Sequence, residues 1–305
     1  MDSPRAGARA RPRTTNAANG DSELMPVQAS TDEQLIQMWL HGRSKSTIDA
    51  YTRDVKRFLL SIQFDIKSVT LGDLQNYQDS LKGASDKSIM RRMAAIRSLL
   101  SFGHKLGYIH FNPGGALRTP RAKNDLAERI LSKGHTIFMV MNERDPRDLA
   151  IMSFIYCTGA RVSEAARARW RDIREVDDTA IVTLYGKGDK TRFSRLTAST
   201  FQKLLKVRPE KWDPDTPLFP STQGGRNACL SRIQMWRIVR RAARAAGIEA
   251  DVSPHWLRHA HASHALDAGA NIVELQQQLG HSSVATTGMY THIKPEQSTS
   301  RFIDI

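Results

Sequence analysis

The sequence predicts a mainly α protein with a small β-sheet (α+β): an N-terminal four-helix domain followed by a larger mixed domain. Three observations predict it. Apolar residues recur at helical spacing through residues 30–112 and again from Ser231 onward. Two short runs, residues 180–185 and 191–196, flank Gly186-Lys-Gly-Asp-Lys190, the pattern of a β-hairpin. Asn112-Pro-Gly-Gly115 breaks the helical pattern between the two regions.

Residues 1–29 are rich in Ala, Arg, Ser, Thr and Gly and read as a disordered tail. In residues 30–112, Thr31 caps a first helix carrying Leu35, Ile36, Met38, Trp39 and Leu40. Ser46 opens a second, with Ile48, Tyr51, Val55, Phe58 and Leu59 on one stripe and Arg53, Lys56 and Arg57 off it. A shorter third helix starts near Leu71 and stops at Lys82-Gly83. The fourth starts after Ser85 and carries Ile89, Met93, Ile96, Leu99 and Leu100 towards His104. Its other face presents Lys87, Arg91, Arg92 and Arg97. One basic face is commonly just solvated; several in one small bundle favour a surface that meets nucleic acid. Residues 113–130 read as a basic linker, in which Arg118, Arg121 and Lys123 suit a phosphate backbone.

Residues 131–305 form the second domain. Asp145-Pro146 starts a helix, a cap followed by proline in the first turn, and Thr158-Gly159 ends it. The hairpin follows. A helix from Arg232 to Ala246 stops at Gly247, another opens at Ser253-Pro254 and ends at Gly269, and a third runs from Asn271 to Leu279 and stops at Gly280. A last helix begins near Ser282 or Ser283 and carries Tyr290.

Composition narrows the partners. With 40% hydrophobic and 25% charged residues, the 305-residue chain has the balance of a globular protein. No apolar run has the length of a membrane span, and the N-terminus has no apolar core of a signal peptide. The net charge of +14, from 45 basic and 31 acidic residues, favours a polyanionic partner. Cys157 and Cys229 form no metal-spaced pair; Cys157 reads as a small buried residue. A reducing compartment is expected.

The chemistry gathers in a few residues. His255, Arg258, His281 and Tyr290 fall within 36 residues of one another. Arg161 lies upstream in Thr158-Gly-Ala-Arg-Val-Ser-Glu164, and Lys187 in the hairpin turn. Arginine forks match phosphate oxygens in pairs and are always charged. Fixed donors of this kind stabilise the charge that builds on a pentavalent phosphorus. A lysine or histidine can protonate a leaving oxygen. A tyrosine can be the nucleophile, storing the bond as a phosphotyrosine ester. His255 and Arg258 are three apart on one helix and share a face near its N-terminus. Each residue alone has a blander reading: Tyr290 as packing, Lys187 as a solvated loop, Arg161 as the salt-bridge partner of Glu164. Their joint occurrence carries the functional one. The histidines His255, His259, His261 and His264 include a pair at zinc-like spacing, but Arg258 would stand beside the cation, and neither a metal nor a cofactor is expected.

Thr158-Gly-Ala-Arg-Val-Ser-Glu164, Gly186-Lys-Gly-Asp-Lys190, His255-Trp-Leu-Arg-His259, Gln278-Leu-Gly-His-Ser-Ser283 and Tyr290-Thr-His292 together resemble the tyrosine recombinase, or phage integrase, family, and within it the Xer-like members. The resemblance covers nearly all of residues 30–292. It implies that residues 30–112 are a helical, SAM-like core-binding domain and residues 131–305 a catalytic domain. It implies that Arg161, Lys187, His255, Arg258 and His281 activate the phosphate, with Tyr290 the covalent nucleophile and Lys187 the general acid. Glu164 and His259 would stand behind the site. The partner would be double-stranded DNA with a specific site, bound by a homo-tetramer working through a Holliday junction, with or without a second recombinase or an accessory protein, and with no membrane. Chromosome dimer resolution and integration or excision of a mobile element both remain open. So do two rivals, a type IB-like topoisomerase and a non-enzymatic DNA-binding factor. Ala160 stands where the family has a bulkier apolar residue, and the short tail after Tyr290 would have to serve for the family's exchanged C-terminal helix.

Overall fold

A computed structural model describes residues 28–119, 130–186, 191–221 and 228–280. The chain divides into two compact units, Met1–Lys123 and Asn124–Ile305.

The first unit holds α1 (Asp32–Leu40), α2 (Lys45–Ile62), α3 (Leu71–Ser80) and α4 (Asp86–Lys105). Their starts are written in side chains. Thr31 accepts from the Gln34 N–H at 3.3 Å. Thr70 and Asp73 cap α3 reciprocally, at 3.3 and 2.9 Å. The second helix begins slightly earlier than its sequence suggests, with Ser44 rather than Ser46 at the cap. Of the expected stripes, Met38 is exposed, whereas Leu35, Trp39, Val55, Phe58, Met93, Ile96, Leu99 and Leu100 are buried, and Leu74 of α3 joins them. Each such side chain contributes roughly 1.5–3 kcal/mol by leaving water. Asp32 ties the bundle together by accepting from the Ile66 N–H at 2.8 Å and the Tyr108 hydroxyl at 2.6 Å.

The second unit is built around α6 (Pro146–Thr158). Asp145 caps it by accepting from the N–H groups of Arg147 and Asp148, and Pro146 occupies its first turn. Ala150, Ile151, Met152, Phe154 and Ile155 are buried on every side, so this helix is the middle of the domain and not an amphipathic flank. Around it lie α5 (Lys133–Met141), the short α7 (Val162–Ala165), α8 (Ala198–Lys206), α9 (Arg232–Ala245), α10 (Pro254–Asp267) and α11 (Ile272–Leu279).

The sheet is β1 (Ile173–Val176), β2 (Thr179–Tyr185) and β3 (Thr191–Leu196), antiparallel in that order. The hairpin β2–β3 is the expected one. Its inward face pairs Ala180 with Leu196, Val182 with Ser194 and Leu184 with Arg192. Four elements are additional to the sequence reading: β1, α5, α7 and α8. The first is four residues long, paired through Ile173 and Val182. In α5 the run Ile137-Phe-Met-Val-Met141 is apolar without a helical period. Cys157 is half-buried and not fully enclosed, with its Sγ 3.7 Å from the Arg195 carbonyl.

Candidate active site

The site begins where α6 stops. Thr158 folds its hydroxyl back onto the Phe154 carbonyl at 2.7 Å and accepts from the Ala160 N–H at 3.2 Å. Gly159 then turns left-handed, with φ at +61°. A Cβ there would stand 2.8 Å from both His261 and Leu279, so glycine is required for its conformation and for its space. This turn delivers Arg161. Its backbone N–H donates to Glu164 Oε2 at 2.7 Å, and its guanidinium donates to Glu164 Oε1 at 2.8 Å. Glu164 is only 3% exposed, whereas the Arg161 side chain keeps 35% of its surface open.

Two further arginines arrive from other elements. Arg258, buried on α10, donates to the Gly159 carbonyl and, at 2.7 Å, to the Leu279 carbonyl. Arg192, buried on β3, donates to Glu164 Oε2 at 2.6 Å, to the Gly159 carbonyl at 3.4 Å and to the Gln278 carbonyl. Arg161 reaches the Gly280 carbonyl at 3.4 Å. The arginines thus close the C-terminal ends of α6 and α11, where unpaired carbonyls carry partial negative charge. Arg161 and Arg192 share the Glu164 carboxylate, and Arg258 brings a third cation to the same turn through the Gly159 carbonyl, which leaves surplus positive charge suited to an anion.

Burial alone would raise the Glu164 carboxyl, but Arg192, and then hydrogen bonds from Arg161 and Arg192, hold it below the usual carboxylate range. It is ionised at neutral pH. His255 lies in the first turn of α10 and is exposed. Partial desolvation, followed by the charges of Arg258 and Arg161, keeps its imidazole below the usual histidine value. It is a neutral group that can accept or donate a hydrogen bond.

The neighbouring histidines of α10 support the frame. His261 Nδ1 donates to the Tyr156 carbonyl at 2.8 Å. His264 Nε2 donates to the Leu131 carbonyl at 2.9 Å, so its Nδ1 accepts from the Tyr156 hydroxyl at 2.9 Å. His259 is half-buried on the same helix. Among the described residues no group of three or more His, Cys, Asp or Glu side chains is arranged to hold a metal ion.

The structure therefore brings together Arg161, Glu164 and Arg258, with His255 close to the two arginines. Lys187, His281 and Tyr290 lie outside the described residues, as do Arg121 and Lys123 of the linker. In the first unit Lys87 and Arg118 are exposed, and Arg92 and Arg97 are half-buried. Arg91 grips Asp54, a carboxylate only 2% exposed, with both ends of its fork. Arg192 was not among the residues the sequence singled out. Only once the hairpin register is fixed does parity place it in the buried set with Ser194 and Leu196, where an unpaired arginine could not stay.

Residues 123–297 match the Phage integrase family, and residues 35–105 match the Phage integrase N-terminal SAM-like domain. The chain belongs to the phage integrase family. Among its relatives in that family, tyrosine recombinase XerC of Corynebacterium glutamicum is 32% identical across 98% of this chain and 97% of its own. Tyrosine recombinase XerD of Staphylococcus haemolyticus is 31% identical across 84% of this chain and 90% of its own. Solved integrase structures share the fold at lower identity. A lambda integrase dimer bound to a COC′ core site gives a TM-score of 0.70 at 18% identity, covering 88% of this chain and 95% of that one. The Tn1549 transposon integrase, in complex with circular intermediate DNA, gives 0.68 at 18%, covering 90% and 100%.

Proposed function

We propose that this chain is a site-specific DNA recombinase that cleaves and rejoins duplex DNA through a covalent 3′-phosphotyrosyl intermediate. The observation that carries the reading is the meeting of Arg161, Glu164 and Arg258 where α6 and α11 end, in a chain of the integrase family. Arg161 and Arg258 neutralise the scissile phosphate, assisted by His255 and His281. The Tyr290 hydroxyl gives its proton to a neutral imidazole of the site, for which His255 is available, and its oxygen attacks phosphorus; the bond from phosphorus to the 5′-oxygen breaks, and Lys187 gives that oxygen its proton. Attack by a 5′-hydroxyl on the phosphotyrosine reverses the step and releases Tyr290, so no energy-rich cofactor is consumed.

Residues 30–112 act as the core-binding domain, residues 131–305 as the catalytic one, and Lys87, Arg91, Arg92, Arg97, Arg118, Arg121 and Lys123 meet the DNA backbone. The net charge of +14 supports this partner. Four copies act on two sites through a Holliday junction, alone or with a second recombinase or an accessory protein. The reaction serves chromosome dimer resolution or the integration and excision of a mobile element. The cytoplasm, at the nucleoid, is the expected place of work; among the described residues no helix is long and apolar enough to cross a membrane.

The test uses a nicked suicide duplex carrying the sequence that the protein selects from a random library. Wild type should accumulate a covalent protein–DNA adduct that survives denaturation, and Tyr290→Phe should form none while binding the duplex equally well. Absence of an adduct with wild type would sink the enzymatic reading. Relaxation of any supercoiled plasmid without joining of two sites would point to a topoisomerase instead.

A further inference from the structure

Arg192 has no part in the reaction as described, yet it occupies a costly position. It lies on the inward face of β3, opposite Leu184, where an apolar side chain would be the ordinary choice. Burying a guanidinium is unfavourable by several kcal/mol unless it is paired and hydrogen-bonded. Its partners come from three elements: Glu164 of α7, Gly159 at the end of α6 and Gln278 of α11. Its Nε finds no partner among the described residues, so the side chain is not placed there to satisfy itself. Gly280 passes against it closely; a Cβ at 280 would stand 3.3 Å from Arg192 Cδ.

We infer that Arg192 is a positioning residue for Arg161: it takes the inner oxygen of the Glu164 carboxylate and pins the end of α11 to Gly159, which leaves the exposed edge of Arg161 for the phosphate. The inference rests on the recombinase reading above. Without Arg192, a buried carboxylate would have Arg161 as its one remaining hydrogen-bonded counter-ion among the described residues. The charge of Arg161 would then be spent on Glu164, and its fork drawn inward. The charged groups around Glu164 are Arg161 from its own turn and Arg192 from β3; α10 adds Arg258, which meets Arg192 at the Gly159 carbonyl. His255 of α10 faces Arg161 and Arg258, and His261 of α10 faces Arg258 and Arg192.

The experiment measures single-turnover adduct formation on the nicked duplex, together with duplex affinity, in a double-mutant cycle of Arg192→Met and Glu164→Gln. Arg192→Met should slow adduct formation at least ~10-fold while affinity changes less than ~3-fold, because a fixed donor is displaced and the DNA-binding surface is not. In the Glu164→Gln background the same change should cost less than about 3-fold, since no charge is left to be balanced. Arg192→Lys, which keeps the charge, should recover most of the rate. Arg192→Gln keeps a donor for the backbone carbonyls and serves the same cycle should the methionine variant fail to fold. An equal loss in both backgrounds, a loss of affinity matching the loss of rate, or no loss at all would overturn the inference. Wild type is the control: if it forms no adduct, the recombinase reading fails, whereas an active wild type with unaffected Arg192 variants counts against this inference alone.

Discussion

Arg258 and Arg161 reach consecutive carbonyls at the end of α11, Leu279 at 2.7 Å and Gly280 at 3.4 Å. Two like charges are thus held near each other by the chain itself, before any phosphate arrives. An anion entering there finds its donors already oriented, the condition under which electrostatic catalysis is strongest.

That arrangement makes Arg258 intolerant of lysine. One ammonium cannot match a planar fork that serves the Gly159 and Leu279 carbonyls together. Arg258→Lys should slow adduct formation by ~10²–10³-fold, a typical cost for a lost oxyanion donor. Duplex affinity should change only a few-fold. A rate within threefold of wild type would remove Arg258 from the phosphate.

Gly159→Ala should damage the protein without touching a charge. The residue would carry a Cβ at φ +61° and 2.8 Å from His261 and Leu279. Left-handed strain and overpacking together should lower stability by about 2–4 kcal/mol in urea melts. A change below about 0.5 kcal/mol would mean that the turn can relax away.

Acid should weaken the catalytic unit through His261. Burial, together with the charges of Arg258, Arg192 and His264, outweighs the hydrogen bond to Tyr156 and brings its imidazole down to about 4. In the unfolded chain that proton binds near pH 6.5. The unfolded state therefore holds more protons between those values, and stability falls as pH drops through the window, by up to about 3 kcal/mol. His261→Gln keeps a donor for the Tyr156 carbonyl and should flatten this slope. An unchanged pH dependence of melting would show that His261 is not the titrating group.

Arg91 should behave differently from Lys87, although both belong to the basic face of α4. Arg91→Ala strips a buried Asp54 of its fork and should lower stability by about 1–3 kcal/mol. Lys87 is exposed, so Lys87→Ala should leave stability within about 0.5 kcal/mol while lowering the salt slope of DNA binding by about one. Equal melting curves for the two variants would contradict the Asp54 pairing.

Much of this was legible in the sequence for physical reasons. Proline at 146 and 254, and glycine at 159 and 280, act locally, so helix limits near them can be read without knowing the fold. Arg161 and Arg258 stood out because phosphate chemistry would need forks of fixed charge, and the fold brings both to the Gly159 turn. What stayed hidden depends on contacts distant in sequence. Arg192 meets Glu164 across 28 residues and Gln278 across 86. Nothing in Thr-Arg-Phe-Ser-Arg-Leu tells which arginine turns inward until Leu184 and Ser194 fix the register. Likewise α5 conceals its helical period inside a wholly apolar run, and β1 is too short to alternate.

Apart from the Glu164 carboxylate, the oxygens that hold these arginines belong to the main chain at 159, 278, 279 and 280. Every amino acid supplies such an oxygen. The identity of the side chain at 278, for example, can drift without removing an anchor, and so the cradle can outlast wide divergence in the surrounding text. It is vulnerable to something else: an insertion, a deletion or a proline that reroutes the backbone by a single step.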